Sequence, residues 1–124
     1  MKLLSQMFTT LRNGQLARKQ IVLVPYSNFC WNILNVLLVH GYIQGIQKSN
    51  QTILIILKYI DGVPAIHELK QVSRSSQRVY KPWNRLNLYQ QGLGLVLVST
   101  SKGILPSAKA FEYKIGGEVL CQVF

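Results

Sequence analysis

The stretch Leu93-Gly94-Leu95-Val96-Leu97-Val98-Ser99-Thr100-Ser101-Lys102-Gly103 changes character halfway along its length. Its first half is short, apolar and rich in valine and leucine, which reads as a buried strand delivering the second half to the edge or end of a sheet. The hydroxyls of Ser99, Thr100 and Ser101 can each donate one hydrogen bond and accept others, and none is long enough to hold a partner surface off the backbone. Lys102 adds a mobile positive charge suited to phosphate, and Gly103 permits the positive φ of a tight exit turn. Alone, such a pentapeptide is an ordinary turn, so its meaning depends on its surroundings.

Downstream, Ile104 to Glu112 contains a short helical segment that Ser107 is placed to cap, and Gly116-Gly117-Glu118 interrupts the chain before a final buried strand, Val119 to Phe124. Paired glycines let another backbone come close. Upstream, Arg74, Arg78, Lys81 and Arg85 are interleaved with Tyr80 and Trp83, a pattern shared by nucleic-acid surfaces and by ordinary solvated faces. Ala65 to Ser76 reads as a linker with a strand starting around Leu69 to Ser73.

In the first half of the chain, Leu3, Leu4, Met7, Phe8, Leu11 and Leu16 recur at helical spacing, with Arg12 in the last turn and Gly14 as the C-terminal cap. Ile21 to Val24 suits a strand that Pro25 stops, and Ser27 is placed to cap a helix running to His40 and closed by Gly41. A hairpin follows, from Tyr42-Ile43 through a turn at Ser49-Asn50 into a strand over Thr52 to Ile60, terminated by Asp61-Gly62-Val63-Pro64. The expected class is therefore α+β, with two small α/β units: an N-terminal α-β-α-β-β unit over 1–66 and a mostly β C-terminal unit with a short helix over 67–124.

Composition narrows the function. Of 124 residues, 48% are hydrophobic, enough for a folded core, and 14 Lys and Arg against 4 Asp and Glu give a formal charge of +10. Such an excess points first to nucleic acid and second to an anionic membrane surface. Asp61, Glu68, Glu112 and Glu118 are the whole acidic set, so no carboxylate pair stands close in sequence to hold a metal. Cys30 and Cys121 lie far apart and read as reduced core residues, while His40 and His67 read as helix-end and loop residues. No metal, cofactor or small-molecule substrate is expected. The longest apolar runs, Ile33 to Val39 and Ile53 to Leu57, fall short of the ~20 residues a spanning helix needs, so membrane insertion is not expected. Ser99-Thr100-Ser101-Lys102 also fits the Ser-x-x-Lys pattern of penicillin-recognising hydrolases, but their Ser-Asp-Asn and Lys-Thr-Gly elements do not occur. The opening Met1-Lys2-Leu3-Leu4 runs straight into helical sequence, so no leader is expected and a protein working in an organelle would be made there.

Ser99-Thr100-Ser101-Lys102-Gly103 followed by Gly116-Gly117-Glu118-Val119-Leu120-Cys121 resembles the small-subunit ribosomal protein numbered eight, in its bacterial and organellar form. Leu11-Arg12-Asn13, Val24-Pro25-Tyr26-Ser27, Gly41-Tyr42-Ile43, Arg78-Val79-Tyr80 and Gly92-Leu93-Gly94 are similar to that family's landmarks, in the same order and across almost the whole chain. The resemblance implies a structural constituent of the small ribosomal subunit that grips the central domain of its rRNA, supports assembly, and adjoins other small-subunit proteins. By the same resemblance, Ser99, Thr100 and Ser101 would bond base edges and 2′-hydroxyls and Lys102 would meet phosphate. Gly117 would give clearance, and Glu118 would orient serine or backbone donors. Arg12, Asn13, Tyr26, Ser27, Arg74, Arg78, Tyr80 and Gly103 complete the implied RNA-binding set. A non-ribosomal basic RNA-binding protein is the alternative.

The chain also departs from the family. Arg74-Ser75-Ser76 replaces the usual Lys-Pro-Gly turn, which implies a looser loop, and Phe111 stands where an arginine is usual. Such losses of charge suggest a divergent ribosome, a mitochondrial one first and a plastid or bacterial one next.

Overall fold

The structure, a computed structural model, describes residues 2–74, 76–90 and 94–124, with 87–90 described in backbone only. Gly92, Leu93 and Ser75, used in the sequence reading, lie outside the described residues. The chain is α+β and divides into two compact units, Met1–His67 and Glu68–Phe124.

The first unit opens with α1 (Lys2–Leu16), whose helical spacing buries Leu4, Met7, Phe8 and Leu11 on one face. It continues through β1 (Ile21–Pro25), α2 (Asn28–Val39), β2 (Ile43–Ser49) and β3 (Thr52–Leu57). The strands form an antiparallel sheet in the order β1-β3-β2, with Val22 opposite Ile55 and Val24 opposite Ile53. That face is buried, α1 packing on β1 and α2 on β2. The alternate residues make the opposite face, where Ile21 pairs with Ile56 and Leu23 with Leu54, and Leu23 is 59% exposed.

The hairpin differs from expectation. The strand over Thr52 to Ile60 breaks at Lys58, and β4 (Tyr59–Ile60) pairs instead with β5 (Val63–Pro64) across Asp61-Gly62. Both turn residues hold positive φ, 52° and 80°, the geometry of a two-residue hairpin whose twist matches its strands. This small hairpin is tied back to the start of the sheet: the Tyr59 hydroxyl donates to the Lys19 carbonyl at 2.6 Å, and the Arg18 guanidinium donates to the Gly62 carbonyl.

Helix ends follow one rule, only partly visible in the residues. After α1, Lys19 N–H donates to Gly14 O at 2.9 Å and Arg18 N–H to Gln15 O at 3.2 Å, with Arg18 left-handed at φ 58°. The same paired bonds close α2 around Gly41 (φ 79°) and close α3 (Ser107–Glu112) around Lys114 (φ 57°). Gly14 is therefore not the cap expected of it, and Arg12 is not in the last turn: Gly14 lies inside α1, buried against Val22 and Leu57. The two Ser caps also differ from expectation. Ser27 occupies the N-cap of α2 in extended conformation but makes no side-chain cap bond, its hydroxyl bonding the Cys30 thiol instead. Ser107 is the first helical residue of α3 and is buried, the cap position falling to Pro106.

In the second unit, β6 (Leu69–Gln71), β10 (Gly117–Val123), β8 (Leu95–Thr100) and β9 (Gly103–Pro106) lie side by side in that order, and β7 (Tyr80–Lys81) pairs with the far end of β10. β8 is thus central, and it delivers its hydroxyls to the end of the sheet, with β9 as the edge. A 3₁₀ helix (Trp83–Gln90) and α3 cover one face, where Leu86, Val96, Val98, Ala110 and Val119 form the core with Val72, Val79 and Phe111 against it. A bulge between Val119 and Cys121 inserts Leu120, so Val119 pairs with Val98 and Cys121 with Leu97 on opposite faces. Burial pushes the Cys121 thiol up to about 12 and raises that of Cys30, leaving neither reactive.

Gly14 provides a test. A Cβ there would stand 2.6 Å from Val22 Cγ1, a stiff β-branched side chain. Gly14→Ala should therefore destabilise the protein by about 1 to 3 kcal/mol in chemical denaturation, although alanine is about 1 kcal/mol better than glycine inside a helix. In a Val22→Ala background the sign should reverse.

Candidate nucleic-acid interface

Strand pairing brings a row of side chains across the second unit. Glu118 on β10 is opposite Tyr80 on β7 and Ser99 on β8, and Ser99 is in turn opposite Ile104 on β9. Paired residues project from one face, so Tyr80, Glu118 and Ser99 stand side by side on the face opposite Val98 and Val119. Arg78 joins them: a side-chain hydrogen bond with Tyr80, then the charge of Glu118, holds its guanidinium above the ordinary value.

Two glycines make this row possible. A Cβ on Gly117 would lie 2.1 Å from the Ser99 carbonyl oxygen, and one on Gly116 would lie 2.7 Å from the Lys81 carbonyl oxygen. Neither glycine has positive φ, so what they supply is room for three backbones to converge. The clearance expected of Gly117 is thus used within the sheet.

Glu118 is 9% exposed, and its Oε2 is buried without a hydrogen-bond partner among the described residues. The expectation that this carboxylate orients serine or backbone donors is therefore not met at that oxygen. A buried acceptor without a donor costs free energy, and Gln15 Nε2 in the first unit is a second buried side-chain atom of this kind.

The three hydroxyls beside it have different tasks. Thr100 Oγ1 donates to the Gly103 carbonyl at 2.8 Å and accepts from Lys102 N–H at 3.2 Å, so it builds the β8–β9 turn. Gly103 completes that turn at φ 104°. Ser101 and Lys102 are exposed at its tip, and Ser99 is half-buried in the row.

The loop carrying Arg74 is closed, contrary to expectation. Arg74 and Gln77 exchange backbone hydrogen bonds of 2.8 and 3.1 Å. Beneath them Ser73 is fully buried, its Oγ accepting from Val79 N–H at 2.9 Å and its carbonyl from Gln71 Nε2 at 2.9 Å. Ser73 was invisible in the sequence, where it is one serine among several. Arg12, Asn13, Tyr26 and Ser27 belong to the first unit. Arg12 and Asn13 are exposed on α1, and the Tyr26 ring lies 4.2 Å from Lys48 Nζ and 6.3 Å from the Trp31 ring.

Among the described residues, no three His, Cys, Asp or Glu side chains gather to hold a metal, and no helix is long and apolar enough to cross a membrane. Hydroxyls, a guanidinium and a carboxylate are thus set side by side on a sheet of a chain of charge +10, a surface rich in hydrogen-bonding groups.

The family profile described as Ribosomal protein S8 matches residues 2–124. The chain is 42% identical to small ribosomal subunit protein uS8 of Zymomonas mobilis, covering 98% of this chain and 95% of the relative. It is 44% identical to the protein of that name from Stutzerimonas stutzeri and 43% identical to that from Ruegeria pomeroyi, with 98% of this chain covered in both and 95% and 97% of the relatives. The chain belongs to the ribosomal protein S8 family, which is structural and not enzymatic. These relatives are bacterial, matching the bacterial alternative and not the mitochondrial setting placed first on sequence.

Because the obstacle at Gly117 is backbone, Gly117→Ala should lose about 3 kcal/mol and lower the melting temperature by roughly 10 °C or more. Gly103→Ala meets no atom within 4 Å and should cost about 1 to 2 kcal/mol through its positive φ alone. Thr100→Val should destabilise by about 1 to 2 kcal/mol through its two turn bonds.

Proposed function

We propose that the chain is a structural constituent of the small ribosomal subunit that binds the central domain of small-subunit rRNA directly and supports its folding. The observation that carries this is the row of Tyr80, Glu118 and Ser99 that strand register sets side by side, with Arg78 beside it, in a strongly basic chain. A carboxylate repels phosphate but accepts hydrogen bonds from nucleobase amino groups and 2′-hydroxyls, the groups an irregular RNA helix presents along its minor-groove side. Ser99 adds a hydroxyl that both donates and accepts, Ser101 extends the same chemistry from the turn, and Thr100 and Gly103 hold that turn in place. Gly117 keeps the row close. Lys102, Arg74 and Arg78 are exposed cations suited to the flanking phosphates. In the first unit, Arg12, Asn13, Tyr26 and Ser27 add further RNA contacts, and other small-subunit proteins complete the surroundings.

A mitochondrial ribosome is the finer setting we propose, supported by Phe111 where the family has an arginine; a plastid or bacterial ribosome is the alternative. Sedimentation with the small subunit of isolated mitochondria supports the finer setting, and its absence there overturns it.

Titration of a central-domain rRNA fragment tests the binding. Affinity should fall steeply with salt, each neutralised phosphate adding about 0.7 to 0.9 to the magnitude of the log–log slope. Arg78→Ala should reduce the slope by roughly one unit with little effect on discrimination between RNA variants. Ser99→Ala and Glu118→Gln should weaken binding about 5- to 150-fold without lowering the salt slope, because neither residue neutralises a phosphate. Unchanged affinity in both variants, with folding intact, would overturn the assignment.

A further inference from the structure

On the second unit, a line of side chains leads away from the hydroxyl turn. Lys102 Nζ lies 5.5 Å from the centroid of the Tyr113 ring, Lys114 Nζ lies 5.8 Å from that of Trp83, and the Trp83 and Phe111 rings are 5.6 Å apart and tilted by 54°. Tyr113 caps the C-terminal end of α3 and Lys114 follows it directly, so cations and aromatic rings alternate from Lys102 to Trp83, which Phe111 backs. Tyr113 is 49% exposed and Trp83 is 37% exposed.

We infer that this row is a second RNA subsite, which takes unpaired nucleotides by stacking, with Tyr113 and Trp83 as platforms and Lys102 and Lys114 on the phosphates. The inference rests on the rRNA reading above for its setting, but it uses different residues and different chemistry.

Three features carry it. Every nucleobase has a π-face, so an aromatic platform beside a cation holds single-stranded RNA whatever its sequence. The platform is also preorganised: Phe111, which supports Trp83, packs on the core formed by Leu86, Val96, Val98, Ala110 and Val119. Lys114, finally, holds a left-handed conformation that glycine would adopt at no cost. A lysine placed there puts an ammonium over an aromatic ring, where an exposed cation–π contact returns only a small stabilisation. Lys102, Lys109 and Lys114 outnumber Glu112 along this stretch, which favours a polyanion over an apolar protein face.

The test uses the full-length chain with Trp31→Phe, which leaves Trp83 as the sole tryptophan of the two, and single-stranded hexaadenylate as the probe. Hexaadenylate should quench Trp83 fluorescence, and a blunt RNA duplex of the same charge should quench it far less. Tyr113→Ala, at an exposed position, should keep the parent melting temperature and bind hexaadenylate about 5- to 150-fold more weakly, the range for losing one base stack. Tyr113→Phe should restore binding. Lys114→Gly should raise the melting temperature by relieving its backbone yet lower the salt slope by roughly one unit. If the duplex quenches as strongly, or if Tyr113→Ala binds as the parent does, the row is packing and charge alone and the inference falls. Hexaadenylate has no folded core for the Glu118 row to read, so failure here leaves the rRNA proposal standing, and failure of the rRNA fragment assay leaves this result interpretable.

Discussion

The second unit depends on one close approach, that of β10 to β8 at Gly117. With no Cβ in the way, the backbone of Gly117 comes against the Ser99 carbonyl, and Gly116 does the same against Lys81 on the other side. Three strands are thereby drawn together where their polar residues emerge. The bulge at Leu120 then changes the phase of β10, so that Val119 can enter the core with Val98 while Cys121 and Val123 bury their side chains in step with Leu97 and Leu95. Without that extra residue, Val119 and Cys121, two positions apart, would share one face, and they could not each follow Val98 and Leu97 to opposite sides of the sheet.

Much of this architecture could be read from pattern. The helical stripe of α1, the β-branched run Ile21 to Val24, the helix from Ser27 to His40 and the apolar run of β8 have strong periodicity or composition, and each forms an element close to its expected bounds. Helix ends were legible only where glycine marked them, as at Gly41. At Arg18 and Lys114 the same left-handed closure is made by residues that carry no such signal, and Gly14, which does carry it, is buried for packing instead. The break at Lys58 was hidden because Tyr59 and Ile60 continue the apolar run while pairing with a different strand.

The residues of the candidate site were legible singly, and their arrangement was not. Ser99, Arg78, Tyr80 and Glu118 were each named from the sequence, and cross-strand register makes Ser99, Tyr80 and Glu118 neighbours, with Arg78 joined through Tyr80. Register depends on long-range pairing, and no local motif encodes it. The division of labour among the hydroxyls is likewise a property of the turn: Thr100 is spent on Gly103 and Lys102, while Ser101 is exposed at the tip and Ser99 lies in the row. Electrostatics sharpen the picture. With 14 basic residues and 4 acidic ones, this chain could have placed its few carboxylates at the surface, where they would temper self-repulsion, yet Glu118 is buried.

The outer face of the first sheet bears on the life of the chain before it meets any partner. Ile21 and Leu23 are exposed there beside Leu54 and Ile56, and β1 and β2 end the sheet with no further strand paired to them among the described residues. Open strands beside apolar side chains are templates for pairing between copies. Such pairing accelerates with the square of the free chain's concentration, whereas capture by a scarce binding site rises only in proportion to it. Raising the concentration of free chain therefore favours pairing between copies over capture by a partner.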